Sequence, residues 1–420
     1  MKRLPFVFAL ILSLLTAGIA GASGLPAAKP EQVGLSSERL DRITQVFRND
    51  VERGRIAGAV VVVARKGRVA YFQAVGFRDK ATNAPMTQDA IFRIASMTKP
   101  LVTVAAMSLY EEGRLLLSDP VSKHVPALGK REVGVERADP ATGKTVLTTV
   151  PAEREMTIQD LLRHTSGLTY GNRGTTLIHK MYPESSNGAS VTLTSDEFID
   201  KLSKAPLLHQ PGTRWEYSLS TDVLGRVVEV VSGKPLGEVL AERIFRPLKM
   251  PDSGFLVPAD KRARLAHPLA TNPDTGKGYA LVDPTVPRKF DCGGGCGVST
   301  AADYTRFAQM LLNRGVLEGV RVLGPKTVDY MTSDHLGPSI SRGTFAGLGY
   351  TWGLGVAVRE DKGPSPIAGS PGDYYWPGAF ATYWWVDPKE QMVVVSMMQA
   401  PFGRHYQHLL RGLVSQAIIE

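Results

Sequence analysis

Two runs of β-branched residues constrain this chain most, because they stand near its opposite ends. Ala59-Val-Val-Val-Val-Ala64 and Met392-Val-Val-Val-Ser-Met397 are short, apolar and uninterrupted, as strands are. Val69-Ala-Tyr-Phe-Gln-Ala-Val75 follows the first run across Arg65-Lys-Gly-Arg68, which predicts an antiparallel hairpin. Thr351-Trp-Gly-Leu-Gly-Val-Ala-Val358 and Phe380-Ala-Thr-Tyr-Trp-Trp-Val386 are further strand candidates, and Asp387-Pro-Lys-Glu390 turns the latter into the last run. Helical signals fill the space between. Ser36 caps a stretch with apolar residues at 40, 43, 46 and 47, one helix face, and 97–111 reads as a long apolar helix. Thr157-Ile-Gln-Asp160 is a capping-box start, Ser195 caps another helix, 220–231 gives a fourth, and 405–418 a last one. Strands at both ends around a helical middle predict an α/β (α+β) fold: one antiparallel sheet from both chain ends, flanked by helices, with a mostly helical inserted subdomain. Residues 130–156 predict a charged hairpin within the insertion, and 270–297 a Gly/Pro-rich loop stretch.

Composition removes the alternatives to a packed core. With 43% hydrophobic and 21% charged residues over 420 positions, disorder, collagen and coiled coil are excluded, and two cysteines exclude a disulfide scaffold. The net charge of +9 is scattered without a basic block, so nucleic-acid binding has no support. Met1-Lys-Arg3, a short apolar run and Ala20-Gly-Ala22 together read as a signal peptide over 1–22. The run falls short of the ~20 residues that span a bilayer, and no cysteine follows it for a lipid anchor. The expectation is a periplasmic or secreted protein with no stable membrane insertion after signal removal.

Three segments carry chemistry. Ser96-Met-Thr-Lys99 puts a hydroxyl and an amine on one helical face, at the start of an uncharged run from Pro100 to Met107. Burial disfavours the ammonium form of a lysine, the condition for accepting a proton from a serine or tuning a neighbouring phenol. Pro100 lacks an N–H, so 96–99 is expected to form a tight turn leading the main helix. Pro211-Gly-Thr-Arg-Trp-Glu-Tyr217-Ser-Leu-Ser220 delivers a phenol just before a helix, where Tyr217 is suited to acid–base work beside a cation. Tyr374-Tyr-Trp376-Pro-Gly378-Ala379 leads into a strand, with Gly378 allowing close approach of the backbone and the next N–H groups suited to an oxyanion. Other patterns fail on context. Ala368-Gly-Ser370-Pro-Gly372 has a proline where a nucleophile elbow must turn, and Ala138–Thr145 imitates a phosphate loop without its strand and helix. No zinc motif exists, so neither a metal nor an organic cofactor is expected, and His164 reads as a structural histidine.

These pieces in this order resemble the serine β-lactamase and penicillin-binding-protein superfamily, in its class C-like branch that contains the family VIII carboxylesterases. The likeness spans nearly all of 30–418 and rests on Ser96-Met-Thr-Lys99, Arg163-His-Thr-Ser-Gly-Leu168, Pro211-Gly-Thr-Arg-Trp-Glu-Tyr217-Ser, Asp222-Val-Leu-Gly225 and Gly293-Gly-Gly-Cys-Gly-Val-Ser-Thr300-Ala-Ala-Asp303. The resemblance implies a β-lactamase/transpeptidase-like catalytic domain over 23–420, with a sheet subdomain at about 30–95 and 290–420 and a helical one at about 96–289. It implies that Ser96 is the acylated nucleophile, Lys99 and Tyr217 its activating pair, and the amides of Ser96 and Ala379 the oxyanion hole.

Departures from the pattern bear on substrate. Tyr217-Ser-Leu219 stands where β-lactamases carry Tyr-x-Asn, so the amide that holds an acylamido group is absent. Trp376-Pro-Gly378 stands where the Lys-Thr-Gly box would be, replacing a cation with an aromatic wall. Leu219, Trp376 and Gly378 are thus the expected substrate-binding positions, and neutral acyl esters are favoured over β-lactams or D-Ala-D-Ala peptides. Cys292-Gly-Gly-Gly-Cys296 leaves two readings open, a disulfide across a short glycine loop or two small buried thiols. The sequence therefore predicts an exported serine hydrolase acting on a small ester or amide. Its competitors are a β-lactamase or D-alanyl-D-alanine carboxypeptidase, and a noncatalytic wall-binding protein of the same fold.

Overall fold

The strand Gly58–Arg65 is buried along its whole length. Successive side chains of a strand point to opposite faces, so Val60, Val62 and Ala64 enter one core while Ala59, Val61 and Val63 enter another. A strand covered on both sides has no polar face to alternate with, which is why its sequence is an unbroken run. The computed structural model describes residues 24–343, 349–360, 363–401 and 403–420; the expected signal peptide lies outside the described residues.

An eight-stranded sheet runs in the order Tyr350–Trp352, Ala357–Arg359, Tyr374–Tyr375, Tyr383–Asp387, Met392–Met398, Gly58–Arg65, Arg68–Asp79 and Ala84–Pro85. Each strand is antiparallel to the next, and the two valine runs pair directly, Val62 opposite Val395 and Val61 opposite Ser396. The chain ends therefore meet at the middle of the sheet, as the sequence predicts. Helices Ser37–Glu52 and Gly403–Ser415 cover one face through Leu40, Ile43, Phe47, Leu410 and Val414. Helix Ala301–Leu312 covers the other, in the larger core that also takes in Thr98–Glu111. Thr98–Glu111 is buried without interruption from Thr98 to Leu109, so it is a central helix with no solvent stripe. Fully burying each of its Val and Leu side chains contributes about 1.5–3 kcal/mol.

Between these lie Ile158–Leu162, Ser195–Lys204 and Ser220–Ser232, together with the hairpin Glu132–Ala138 and Thr145–Pro151. The phosphate-loop imitation is the tip of that hairpin. Three readings need correction. The run 351–358 is two strands, because Leu354 N–H donates to Met331 O and Gly355 N–H to Leu162 O, folding the glycines into a turn. Gly355 has φ of 75° there, and an added Cβ would meet Thr103 Oγ1 at 2.2 Å. The run 380–386 pairs only from Tyr383. Helix Ala301–Leu312 is absent from the sequence prediction although Thr300 Oγ1 accepts from Asp303 N–H as its cap. Among the described residues no helix is long and apolar enough to cross a membrane.

Candidate active site

Ala95 begins a 3₁₀ turn, Ala95–Met97, that runs directly into helix Thr98–Glu111. This is the tight leading turn that Pro100 requires, since the proline falls in the first helical turn where an N–H has no intrahelical acceptor. Ala95 itself has φ of 45°, left-handed for a residue with a Cβ, a conformation costing about 1–3 kcal/mol unless its surroundings hold it. They do. Thr98 Oγ1 donates to Ala95 O at 2.7 Å and accepts from Gly297 N–H at 2.9 Å, and Tyr304 O–H donates to Met97 O at 2.8 Å.

That turn presents Ser96 Oγ to two groups. The Tyr217 hydroxyl donates to it at 2.7 Å, and Lys99 Nζ stands 3.3 Å away. Lys99 is fully buried and also donates to Tyr170 Oη at 3.3 Å and to the carbonyl of Gly294. Its Nζ lies 4.6 Å from the Tyr217 ring centroid. The Tyr217 oxygen also accepts from Trp376 Nε1–H at 3.1 Å.

Tyr217 is placed by backbone pairing with the segment 163–166. Gly212 N–H donates to Thr165 O at 2.7 Å and Glu216 N–H to His164 O at 2.9 Å. Asp160 fixes that segment in turn, accepting from Thr165 Oγ1 at 2.7 Å and from Arg163 Nη2 at 2.9 Å. Burial alone would raise the Asp160 carboxyl; hydrogen bonds from Arg154, Thr165 and the Thr157 amide overcome it and hold the pKa at about 2. His164 is buried with its ring 4.9 Å from that of Tyr217 and 5.3 Å from that of Trp352. Burial, then the Lys99 and Arg173 charges, push its pKa well below the ordinary value, so it is a neutral packing partner. Its Nδ1 accepts from Ser218 N–H at 3.3 Å, leaving the proton on Nε2.

Ser96 and Tyr217 open into a cavity of about 350 Å³ whose wall includes Tyr170, Arg173, Ala379 and Phe380. Ser96 and Ala379, the expected oxyanion donors, thus border one space. A larger hollow of about 820 Å³, lined by Met86, Lys249, Asp252 and Arg264, lies apart from these residues, and none of Ser96, Lys99 and Tyr217 borders it. The expected substrate-binding residues differ in placement. Leu219 is 0% exposed in the main core, Trp376 meets the phenol through its N–H, and Gly378 is pressed against the carbonyl of Ile94. Cys292 and Cys296 form a disulfide, Cα to Cα 5.3 Å. Among the described residues no cluster of His, Cys, Asp and Glu is arranged to hold a metal.

Sequence reasoning misses four residues here. Tyr170 lies two positions past the quoted Arg163–Leu168 motif, and Arg173, 3.5 Å from Glu216, lies in an unpatterned loop. Asp222 and Gly294 lie inside quoted motifs but carry no assigned chemistry. Asp222 is buried and accepts from Gly294 N–H at 2.7 Å. Burial pushes its carboxyl up to about 6, against the opposing pull of Lys99 and that N–H.

The chain is similar to known proteins over most of its length. A family model described as Beta-lactamase matches residues 43–417. Protein Rv1367c of Mycobacterium tuberculosis is 37% identical over 86% of this chain and 90% of its own. Esterase EstB of Burkholderia gladioli is 30% identical over 82% and 86%. The solved structure of EstCE1, described as a hydrolase with promiscuous acyltransferase activity, superposes with a TM-score of 0.72 at 29% identity, covering 90% of this chain and 98% of that one. The fold is β-lactamase/transpeptidase-like, a large antiparallel sheet flanked by helices.

Proposed function

The chain belongs to the Beta-lactamase family, and from that membership we propose that it hydrolyses small carboxylic esters through an acyl-enzyme on Ser96. The observation that carries this reading is the placement of Ser96 Oγ at 2.7 Å from the Tyr217 hydroxyl and 3.3 Å from Lys99 Nζ, at the wall of a substrate-sized cavity. Ser96 Oγ attacks the ester carbonyl as its proton passes to the Tyr217–Lys99 pair, which acts in this mechanism one proton short, as phenolate with ammonium or phenol with free amine. The oxyanion is held by the Ser96 and Ala379 amides, where loss of one donor costs ~3 kcal/mol of barrier. The pair returns the proton to the departing alkoxide. Water then gives its own proton to the pair, attacks the acyl-enzyme and releases the acid, restoring the Ser96 hydroxyl.

Esters are favoured over β-lactams because Leu219 offers no amide and Trp376 no cation, and because a named relative, EstB, is an esterase. One observation favours a second reading, a D-alanyl-D-alanine carboxypeptidase or β-lactamase: Arg173, which also pairs with Glu216, places on the cavity wall a guanidinium of the kind that binds carboxylates. Export belongs to the same proposal. Lys2 and Arg3, the apolar run after them and Ala20-Gly-Ala22 support it, and the Cys292–Cys296 bridge suits an oxidising compartment.

The test is mass spectrometry of protein mixed with short-chain nitrophenyl esters, a chromogenic cephalosporin and a D-Ala-D-Ala peptide. An acyl adduct on the Ser96 peptide from the esters, with turnover lost in Ser96→Ala, is the expected result. Faster acylation by the cephalosporin or peptide moves the assignment to the second reading, and undiminished ester turnover by Ser96→Ala overturns both.

A further inference from the structure

Lys99 needs a fixed position more than a fixed environment, since its amine must face Ser96 Oγ and not swing along the cavity wall. Its backbone anchor is the carbonyl of Gly294, and the amide of the same residue donates to Asp222 Oδ1 at 2.7 Å. Gly294 therefore joins the lysine to a carboxylate on the first turn of helix Ser220–Ser232.

The contact leaves no slack. A Cβ on Gly294 would lie 2.2 Å from Asp222 Oδ2, and one on Gly293 would lie 2.6 Å from Thr221 O. The glycines let the loop lie flat on the helix start. On its far side the loop is closed by the Cys292–Cys296 disulfide, and Asn187 Nδ2 donates to Gly295 O at 2.8 Å. A buried carboxylate is expensive, and Asp222 is 4% exposed, so the hydrogen bond from Gly294 N–H offsets part of that cost.

We infer that Asp222 is a positioning residue for Lys99, acting through the Gly294 peptide, and that the Cys292–Cys296 loop holds that peptide in register. This rests on the Ser96–Lys99 reading above. Asp222 touches no reacting atom; it fixes which way the Gly294 carbonyl points. Misplacing a reacting group by about 1 Å can cost about 100-fold in rate.

The test follows fluorophosphonate labelling of Ser96 in the full chain, with melting curves as a folding control. Asp222→Ala should slow labelling about 30-fold at saturation with little change in the saturation constant, and Asp222→Asn, which keeps an acceptor oxygen, should recover most of it. Reduction by a dithiol delivers two electrons and two protons to the bridge, giving two thiols and the oxidised dithiol; it should slow labelling about 10-fold and reverse on reoxidation. Competitive acetylation with acetic anhydride reads Lys99 itself, against the exposed Lys204 as internal standard, whether or not Ser96 reacts. A Lys99 reactivity that shifts in Asp222→Ala and on reduction supports positioning even if Ser96 is never labelled, in which case the ester reading alone fails. Labelling and Lys99 reactivity that match the parent in both arms overturn the inference. If Asp222→Ala does not fold, the reduction arm decides.

Discussion

The Tyr217 hydroxyl meets Ser96 Oγ at 2.7 Å although 121 residues separate them in the chain. A contact that long in sequence is assembled by the whole helical insertion, and in the proposed mechanism it is the shortest route for the serine proton. Tyr217→Phe keeps the ring and its packing against His164 but removes the oxygen. Steady-state and burst kinetics on a nitrophenyl ester should show acylation slowed by about 10²–10⁴-fold with KM nearly unchanged. A variant as fast as the parent would remove the phenol from the mechanism.

Trp376 was expected as an aromatic wall, and its indole N–H also donates to the Tyr217 oxygen at 3.1 Å. That bond lowers the energy of a phenolate more than of a phenol, so its value lies in the proton transfer. Trp376→Phe preserves most of the aromatic contact with Trp352, 4.5 Å between ring centroids. The loss should be about 1.5–3 kcal/mol, roughly 10–100-fold in kcat, with ester KM changed far less. A rise in KM at constant kcat would return Trp376 to a substrate-wall role.

Asp160 links stability to the same site. Its carboxyl sits at about 2 when folded against an ordinary 3.8 when unfolded. A depressed folded value stabilises the protein above the unfolded pKa and loses that contribution as pH falls from about 4 through 2. Two pH units correspond to roughly 2.5 kcal/mol. In denaturant titrations Asp160→Asn should be less stable than the parent at pH 7 by about that amount, with the gap closing below about pH 3. Because Asp160 holds the segment that pairs with 212–216, ester turnover should fall as well.

Asp222 carries the opposite sign. Its folded carboxyl is pushed up to about 6 from an ordinary 3.8, so its contribution to stability is complete below about pH 4 and lost as pH rises through 6. Asp222→Asn removes the ionisation. The variant should gain on the parent across pH 4–7 by roughly 3 kcal/mol at most, read by denaturant midpoints at several pH values. A difference that is flat with pH would show that the carboxylate is not strained by its burial.

How much of this was legible in the sequence follows from range. The strand runs 59–64 and 392–397 and the Ser96–Lys99 turn are written in local pattern, because burial on both faces and helical spacing act over a few residues. Tyr217 is found because a turn signal and a helix start flank it. Tyr170 and Gly294 are not, because their roles exist only where Lys99 Nζ reaches them, 71 and 195 residues away. Leu219 shows the converse: a position matched by motif is buried in the core once helix Ser220–Ser232 docks. The split of 351–358 into two strands likewise depends on acceptors at Leu162 and Met331 that no local window contains.

Gly378 holds the two halves of the site together. Its amide donates to Thr382 O at 2.8 Å, and its Cα faces Ile94 O, the carbonyl two residues before Ser96. An added Cβ would lie 2.0 Å from Thr382 Oγ1 and 2.4 Å from Ile94 O. Thr382 Oγ1 itself donates to Ile94 O at 3.2 Å, so neither neighbour moves without breaking that bond. The strain falls on a hydrogen-bonded side chain on one side and on backbone on the other, and Ala95, already at positive φ, has little freedom to absorb it. Gly378→Ala should therefore cost about 1–3 kcal/mol of stability and, by shifting Ser96 relative to the Ala379 amide, slow acylation about 100-fold or more. Thermal melts and nitrophenyl-ester kinetics on the same preparation check both; a variant with parental kinetics would show that the 376–379 segment is not part of the oxyanion geometry.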